Sequence, residues 1–290
     1  MVAEKWLFTS FGKQINLTDL GQLKKFLARH GLEADKSLGQ HFLISESAVE
    51  SIVDAAASFA TVLEIGPGPG VLTSPLSQRV EHYVALEVDT SVASALKESA
   101  PSAEVRFEDA LQADLAAILR PLPQPRAIVS NLPYYITGPL LAKIADARAE
   151  ISRAVLMMQR EVGTRILSRP GGSARGALSV VLQRQFSIER LIDVPAKAFY
   201  PPPKVDSVVL VLTPRISDES PEFERWLDRL VHFGFAQRRK TLVNNFTGGL
   251  RVDRLTAEGW IESAGLTEMA RAQELTEEQW VTLARLIPPR

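Results

Sequence analysis

Ten residues, Thr61-Val62-Leu63-Glu64-Ile65-Gly66-Pro67-Gly68-Pro69-Gly70, restrict the fold of this chain more than any others. A short, largely apolar run passes straight into three glycines, and a helical pattern follows from Val71 to about Arg79. Strand, glycine-rich turn, helix is the opening unit of a nucleotide-type α/β fold. The glycines fall at every second position, which is not the dinucleotide spacing. Two intervening residues are prolines and have no N–H to offer a phosphate. The turn therefore suits a ligand that approaches the backbone closely without phosphates. A merely tight turn would not need three residues of such high ordering entropy.

The next strand, His82–Leu86, ends at Glu87, 21 residues past Gly66, where an acid meets ribose hydroxyls in such folds. A third, Glu104–Phe107, ends at Glu108-Asp109. A fourth, Ala127–Ser130, ends in Asn131-Leu132-Pro133-Tyr134, with a helix start at Thr137-Gly138-Pro139. Each polar residue taken singly reads equally as a cap or a turn. Gly66, Glu87 and Asp109 closing successive strands make a ligand crevice the stronger reading. The fifth strand, Arg153–Met158, leads into a helix with Glu161 and Arg165. Leu178–Leu182 is expected as the sixth strand and Val205–Leu212 as the last. Between them, Ala198-Phe199-Tyr200-Pro201-Pro202-Pro203-Lys204 predicts a stiff polyproline backbone presenting Phe199; a rigid linker is the plainer alternative.

Upstream, Thr18 or Asp19 caps a short helix with Leu20, Leu23, Phe26 and Leu27 on one face, ended by Gly31. Lys36-Ser37-Leu38-Gly39-Gln40-His41-Phe42-Leu43 reads as a structured loop, in which His41 alone would pass for an ordinary loop histidine. Ser45 caps a helix over 45–58. Beyond Pro214 a linker leads into helices at about 222–236, 238–246, 254–264 and 276–286, with no further strand. Net charge is −1, so any nucleic-acid surface must be local. The densest basic run is Gln237-Arg238-Arg239-Lys240, and residues 143–190 hold nine Lys and Arg against four Asp and Glu. Such runs are usually solvated faces; lying past the crevice in sequence, these suit phosphate contacts. The chain has no cysteine, which excludes disulfides and thiolate chemistry. No signal-peptide core and no membrane-length apolar run are present, so a soluble, cytoplasmic protein is the expectation.

Five segments stand in order: Gly39-Gln40-His41-Phe42-Leu43, Glu64-Ile65-Gly66-Pro67-Gly68, Asn131-Leu132-Pro133-Tyr134, Phe199-Tyr200-Pro201-Pro202-Pro203-Lys204-Val205-Asp206-Ser207 and Phe235-Ala236-Gln237-Arg238-Arg239-Lys240-Thr241-Leu242. With them the chain, from about residue 23 onward, resembles the bacterial small-subunit rRNA adenine dimethyltransferases, the family linked to kasugamycin sensitivity. The resemblance implies a Rossmann-like α/β methyltransferase with a seven-stranded, mostly parallel sheet and a small all-α C-terminal domain. Residues 1–22 would be an extension, 23–214 the methyltransferase domain and 215–290 the rRNA-binding domain. It implies S-adenosylmethionine (SAM) as cofactor and two adjacent adenosines near the 3′ end of 16S rRNA, in the immature small subunit, as substrate. No metal, no membrane and a monomer are further expectations. His41 and Leu43, beside Gln40, would line the methionine side of SAM. Gly66, with Gly68, would approach it through the backbone. Glu87 would take the ribose hydroxyls, Asp109 the adenine amino group, and Asn131 would border the methyl. The chain departs from the usual pattern at His41 and at Tyr135, where many relatives have Asn, and at Pro69.

The chemistry asks for acceptors. The exocyclic amine of adenine is a poor nucleophile because its lone pair is delocalised into the ring. The side-chain oxygen of Asn131 and the backbone carbonyl of Leu132 can accept its two N–H groups, with Pro133 fixing the carbonyl's direction. Tyr134 and Phe199 would stack on the flipped base, and Arg238, Arg239 and Lys240 would contact phosphates. Three other readings compete. A large-subunit rRNA methyltransferase of the macrolide-resistance type usually has Ile at position 132 and lacks the three prolines. A ribosome-assembly binding factor could carry methylation as a secondary role. An NAD-dependent oxidoreductase is disfavoured by the glycine spacing.

Overall fold

The structure, a computed structural model, describes residues 15–33 and 40–289. The first four residues of the loop reading, Lys36 to Gly39, lie outside the described residues. The elements run α1 (Leu20–Arg29), β1 (Phe42–Leu43), α2 (Glu46–Ala56), β2 (Thr61–Ile65), α3 (Thr73–Ser77), β3 (His82–Glu87), α4 (Ala93–Ser99), β4 (Glu104–Phe107) and α5 (Leu115–Leu119). Then come β5 (Arg126–Asn131), α6 (Thr137–Asp146), β6 (Arg153–Gln159), α7 (Arg160–Ile166), α8 (Ala177–Gln185), β7 (Phe186–Val194), β8 (Phe199–Tyr200) and β9 (Ser207–Pro214). Four helices close the chain: α9 (Pro221–Gly234), α10 (Leu242–Leu250), α11 (Arg254–Ser263) and α12 (Glu277–Leu286).

Seven strands form one sheet in the order β4-β3-β2-β5-β6-β9-β7. The first five are parallel; β9 runs antiparallel to both β6 and β7. Parallel strands need crossovers, and helices supply them, so both sheet faces are covered. That is why β2 is buried at every residue. One apolar cluster, including Val62, Ala127 and Val155, packs under α1 and α2. A second, including Leu63, Ile128 and Leu156, packs under α5, α6 and α8. The winding reverses between β2 and β5, and register sets their ends level: Ile65 pairs with both Leu86 and Ser130. Gly66, Glu87 and Asn131 therefore leave the sheet along one edge, at its switch point.

The N-terminal helix begins at Leu20 with Asp19 as its cap, accepting from the Gln22 N–H. Leu17 is already buried in the first apolar cluster. The stretch expected as an extension thus joins the fold at least from Leu17.

One expected strand is a helix. Leu178–Leu182 lies in α8, and the seventh sheet strand is β7 instead. The run Leu178-Ser179-Val180-Val181-Leu182 looks apolar because α8 is buried on two sides. Leu182 faces the sheet core, while Val180 joins the cluster of the C-terminal helices. Tertiary burial overrides the β-branched signal. β7 is an edge strand carrying Glu189, Arg190 and Asp193, with an irregularity between Arg190 and Ile192 that blunts the edge. The last strand starts at Ser207, because the proline segment holds Val205 outside the ladder. In the C-terminal part, Gln237–Lys240 forms the turn before α10, and Thr241 caps that helix. Trp226, Leu230, Phe246, Ile261 and Trp280 build the third apolar cluster there. No helix among the described residues is long and apolar enough to cross a membrane.

Candidate active site

A cavity opens where Gly66, Glu87 and Asn131 leave the sheet. Among the residues singled out in the sequence, Gln40, His41, Leu43, Gly66, Gly68, Glu87, Asn131, Leu132, Pro133 and Tyr134 line it. The glycine turn explains its own composition. Gly66 has φ +71° and Gly68 φ +55°, a region side chains avoid. A Cβ on Gly66 would project into open space and narrow that space for a ligand.

The acidic wall is built from backbone donors. One Glu87 carboxylate oxygen accepts the Gly68 N–H at 2.9 Å and the other accepts the Asp89 N–H at 2.9 Å. Each oxygen keeps acceptor capacity for a hydroxyl. Burial pushes the Glu87 carboxyl up, opposed by those hydrogen bonds. Gln40 reaches the same wall, donating to Asp89 Oδ2 at 3.4 Å. Asp109 stands at the end of β4, one strand beyond Glu87, and is not part of the cavity lining. Its Oδ1 accepts from the Leu111 N–H at 2.9 Å.

The Asn131 side chain is oriented by the loop before β1. Its Nδ2 donates to the His41 carbonyl at 3.3 Å. With the amide nitrogen engaged, Oδ1 is left as the acceptor, and among the described residues neither Oδ1 nor the Leu132 carbonyl takes a hydrogen bond. Pro133 sits at φ −58° and ψ 129° and leads into a 3-10 turn over Tyr134–Ile136. The Tyr134 hydroxyl and Ser207 Oγ are 2.8 Å apart, and the His41 ring lies 5.7 Å from the Tyr134 ring. His41 Nδ1 is 2.7 Å from the Pro201 carbonyl. Three motifs far apart in the chain thus meet through His41.

Phe199 departs from its expected placement. Its ring is 2% exposed, belongs to the core and does not line the cavity. The cause is a two-residue antiparallel ladder, Leu43 with Phe199 and Phe42 with Tyr200. Alternation along that ladder turns the Phe199 ring inward. It supports the backbone carrying His41 and Pro201 rather than facing a base.

Glu64, inside the glycine motif, is a site residue to which the sequence pattern assigns no role. It is 1% exposed, lines the cavity, and accepts from Thr73 Oγ1 at 2.9 Å and from the Tyr83 hydroxyl. Burial pushes this carboxyl up to about 7, while both hydrogen bonds work against the rise. The signal was a carboxylate inside a five-residue apolar strand, a residue type seldom buried without purpose.

The basic run lies apart from the cavity. Arg238 lines a groove shared with Arg160, Arg165 and Lys204 of the sheet region, and it donates to the Ser173 carbonyl. Arg239 and Lys240 are exposed in the same turn. The carboxylates in the groove are already paired, Asp206 with Arg160 at 3.0 Å and Glu161 with Arg165 at 3.2 Å. Among the described residues Lys204 has no ion-pair partner. Arg160 opens α7 directly after β6, so the groove begins at the same sheet edge as the cavity.

An acidic strand end for hydroxyls, a glycine turn without phosphate donors and a bare pair of carbonyl acceptors belong to a methyltransferase of Rossmann-like fold. The comparisons with known proteins narrow the class. The family model described as ribosomal RNA adenine dimethylase matches residues 31–288. A ribosomal RNA small subunit methyltransferase A from Geobacillus thermodenitrificans is 34% identical over 93% of this chain and 96% of its own. A dimethyladenosine transferase from Plasmodium falciparum has a similar structure, with a TM-score of 0.66 and 26% identity over 84% of this chain and 96% of its own. The 23S rRNA methyltransferase ErmE follows at 0.63 and 28%, covering 84% and 98%. This chain belongs to the ribosomal RNA adenine dimethylase family and is an rRNA adenine dimethyltransferase.

Proposed function

We propose that this enzyme transfers methyl groups from SAM to N6 of two adjacent adenosines near the 3′ end of 16S rRNA, in the cytoplasm, on immature small subunits and as a monomer. The observation that carries the reading is the acceptor pair, Asn131 Oδ1 and the Leu132 carbonyl, held bare at the cavity while Asn131 Nδ2 is tied to His41. SAM, when bound, supplies an electrophilic methyl group on a sulfonium. The residues fit it: Glu87 for the ribose hydroxyls, Gly66 and Gly68 for close backbone approach, and Gln40, His41 and Leu43 along the methionine side. Asp109 would take the adenine amino group at the outer end. Glu64 adds a buried carboxyl on the same wall.

The protein's part is to orient the target amine. Asn131 Oδ1 and the Leu132 carbonyl accept its N–H bonds and draw the nitrogen out of conjugation. As the N–C bond forms and the C–S bond breaks, positive charge grows on that nitrogen, and both acceptors strengthen with it. The proton then leaves to water. Tyr134, anchored by Ser207, holds the flipped base, and stacking of about 1–3 kcal/mol offsets part of the extrusion cost. Little affinity remains from the base itself, so phosphate contacts at Arg238, Arg239, Lys240 and the groove beside them supply most of it. Residues 23–214 would form the catalytic unit and 215–290 the unit that grips rRNA.

Mass spectrometry of rRNA after incubating unmethylated small subunits with enzyme and SAM tests this reading. Dimethyladenosine at two neighbouring positions of 16S rRNA is expected. Methylation of 23S rRNA in whole ribosomal RNA, with 16S rRNA untouched, would move the assignment to the large subunit.

A further inference from the structure

Tyr135 is the exposed aromatic residue of the cavity lining, and no role has been assigned to it. Its ring is 60% exposed, whereas the other lining rings, Phe42, Tyr134 and His41, are buried or half-buried. Tyr134 and Tyr135 are consecutive in the 3-10 turn. With three residues per turn, their side chains leave the turn about 120° apart. The two rings therefore cannot lie against one base. Tyr134 is committed inward by Ser207 and His41. Tyr135 projects at the mouth, on a backbone held by Ile136 N–H and Thr137 Oγ1, both donating to the Pro133 carbonyl at 3.2 and 3.0 Å. A ring on a fixed backbone has only two side-chain torsions to order and offers a face to any base.

We propose that Tyr135 stacks on the nucleobase next to the target in the rRNA strand, the one that stays outside while its neighbour enters the cavity. This rests on the reading that an rRNA adenosine is extruded toward Asn131. Where the targets are adjacent adenosines, the base on Tyr135 is the other target. Tyr135 is then a positioning residue: it sets which nucleotide is in register with the cavity and takes no part in the chemistry.

The test pairs protein and RNA changes. Small subunits are reconstituted with 16S rRNA carrying either adenosine or an abasic ribose beside the target, and binding is measured for the parent, Tyr135→Ala, Tyr135→Leu and Tyr135→Phe. On the adenosine subunits Tyr135→Ala and Tyr135→Leu are expected to bind about five- to 150-fold more weakly, with Tyr135→Phe like the parent. On the abasic subunits all four proteins are expected to bind alike, because the partner of the ring is gone. Calorimetric SAM binding checks that the cavity is intact. Equal binding by Tyr135→Ala and the parent on adenosine subunits overturns the proposal, as does a deficit that persists on abasic ones. If the parent methylates neither adenosine of 16S rRNA, the failure lies in the functional reading and not in the stacking.

Discussion

At the residue scale, the proposed mechanism depends on two acceptors left bare in a place where most polar atoms are paired. Asn131 is the sharpest instance, since one half of its amide is spent on the His41 carbonyl so that the other half points outward. Asn131→Ala is expected to abolish both methyl transfers, a loss of at least about a hundredfold by comparison with oxyanion-hole donors, while SAM binding by calorimetry is partly kept. Comparable methyl incorporation by that variant would rule the mechanism out. Glu64 yields a pH dependence. Its ordinary value is 4.5, and burial raises it to about 7 in the folded chain. A carboxyl held as the acid stabilises the fold fully below pH 4.5, and that contribution is lost as pH climbs through 7. Glu64→Gln keeps an acceptor for Thr73 and Tyr83 and cannot ionise. Its stability relative to the parent should therefore rise by about 3 kcal/mol between pH 4.5 and roughly pH 8 in denaturant titrations of the free protein. A difference that stays flat with pH would contradict this. Asn131 was legible because a lone amide closed an apolar strand. The partner of its Nδ2 was not, since a backbone carbonyl 90 residues away has no signature in sequence.

At the element scale, the strands nearest the site were the easiest to read. β2, β3 and β5 are buried on both faces, so they appear as largely apolar runs bounded by turn residues. α8 resembles a strand in sequence for a related reason: a short helix buried on two sides also loses its period. The seam it makes with α9 is ionic. Arg184 bonds Glu224 and, at 2.5 Å, Asp228 Oδ1, while Gln185 bonds the other Asp228 oxygen at 3.0 Å. Removing one partner of a buried cluster strands the others. Arg184→Ala is expected to cost about 3–5 kcal/mol by the same principle, with hydrogen exchange rising first in α8 and α9. Unchanged stability and protection would mean that the apolar contacts alone hold the seam. Phe199 also belongs at this scale. The proline run suggests a stiff backbone presenting Phe199, yet a two-residue ladder decides which way the ring points.

At the scale of the whole molecule, a net charge of −1 excludes long-range capture of RNA by overall charge. Affinity must come from where the cations are gathered. Arg238 from the helical end meets Arg160, Arg165 and Lys204 from the sheet region in one groove. Replacing Arg238 and Arg239 together by Ala is expected to weaken small-subunit binding and to flatten the slope of log affinity against log salt by about 1–2. An unchanged slope would remove both from the interface. From its sequence alone this protein is committed to a wound α/β sheet, a glycine turn unsuited to phosphate, acids at strand ends and an amide beside them. Local pattern suffices there, because each feature is written in neighbouring residues. Only the tertiary structure decided that His41 joins Asn131 to Pro201, that Phe199 turns inward, that Glu64 is buried against Tyr83, and that Tyr135 is left at the mouth. Those are contacts between distant segments, set by packing and register, and no single stretch of chain contains the information for them.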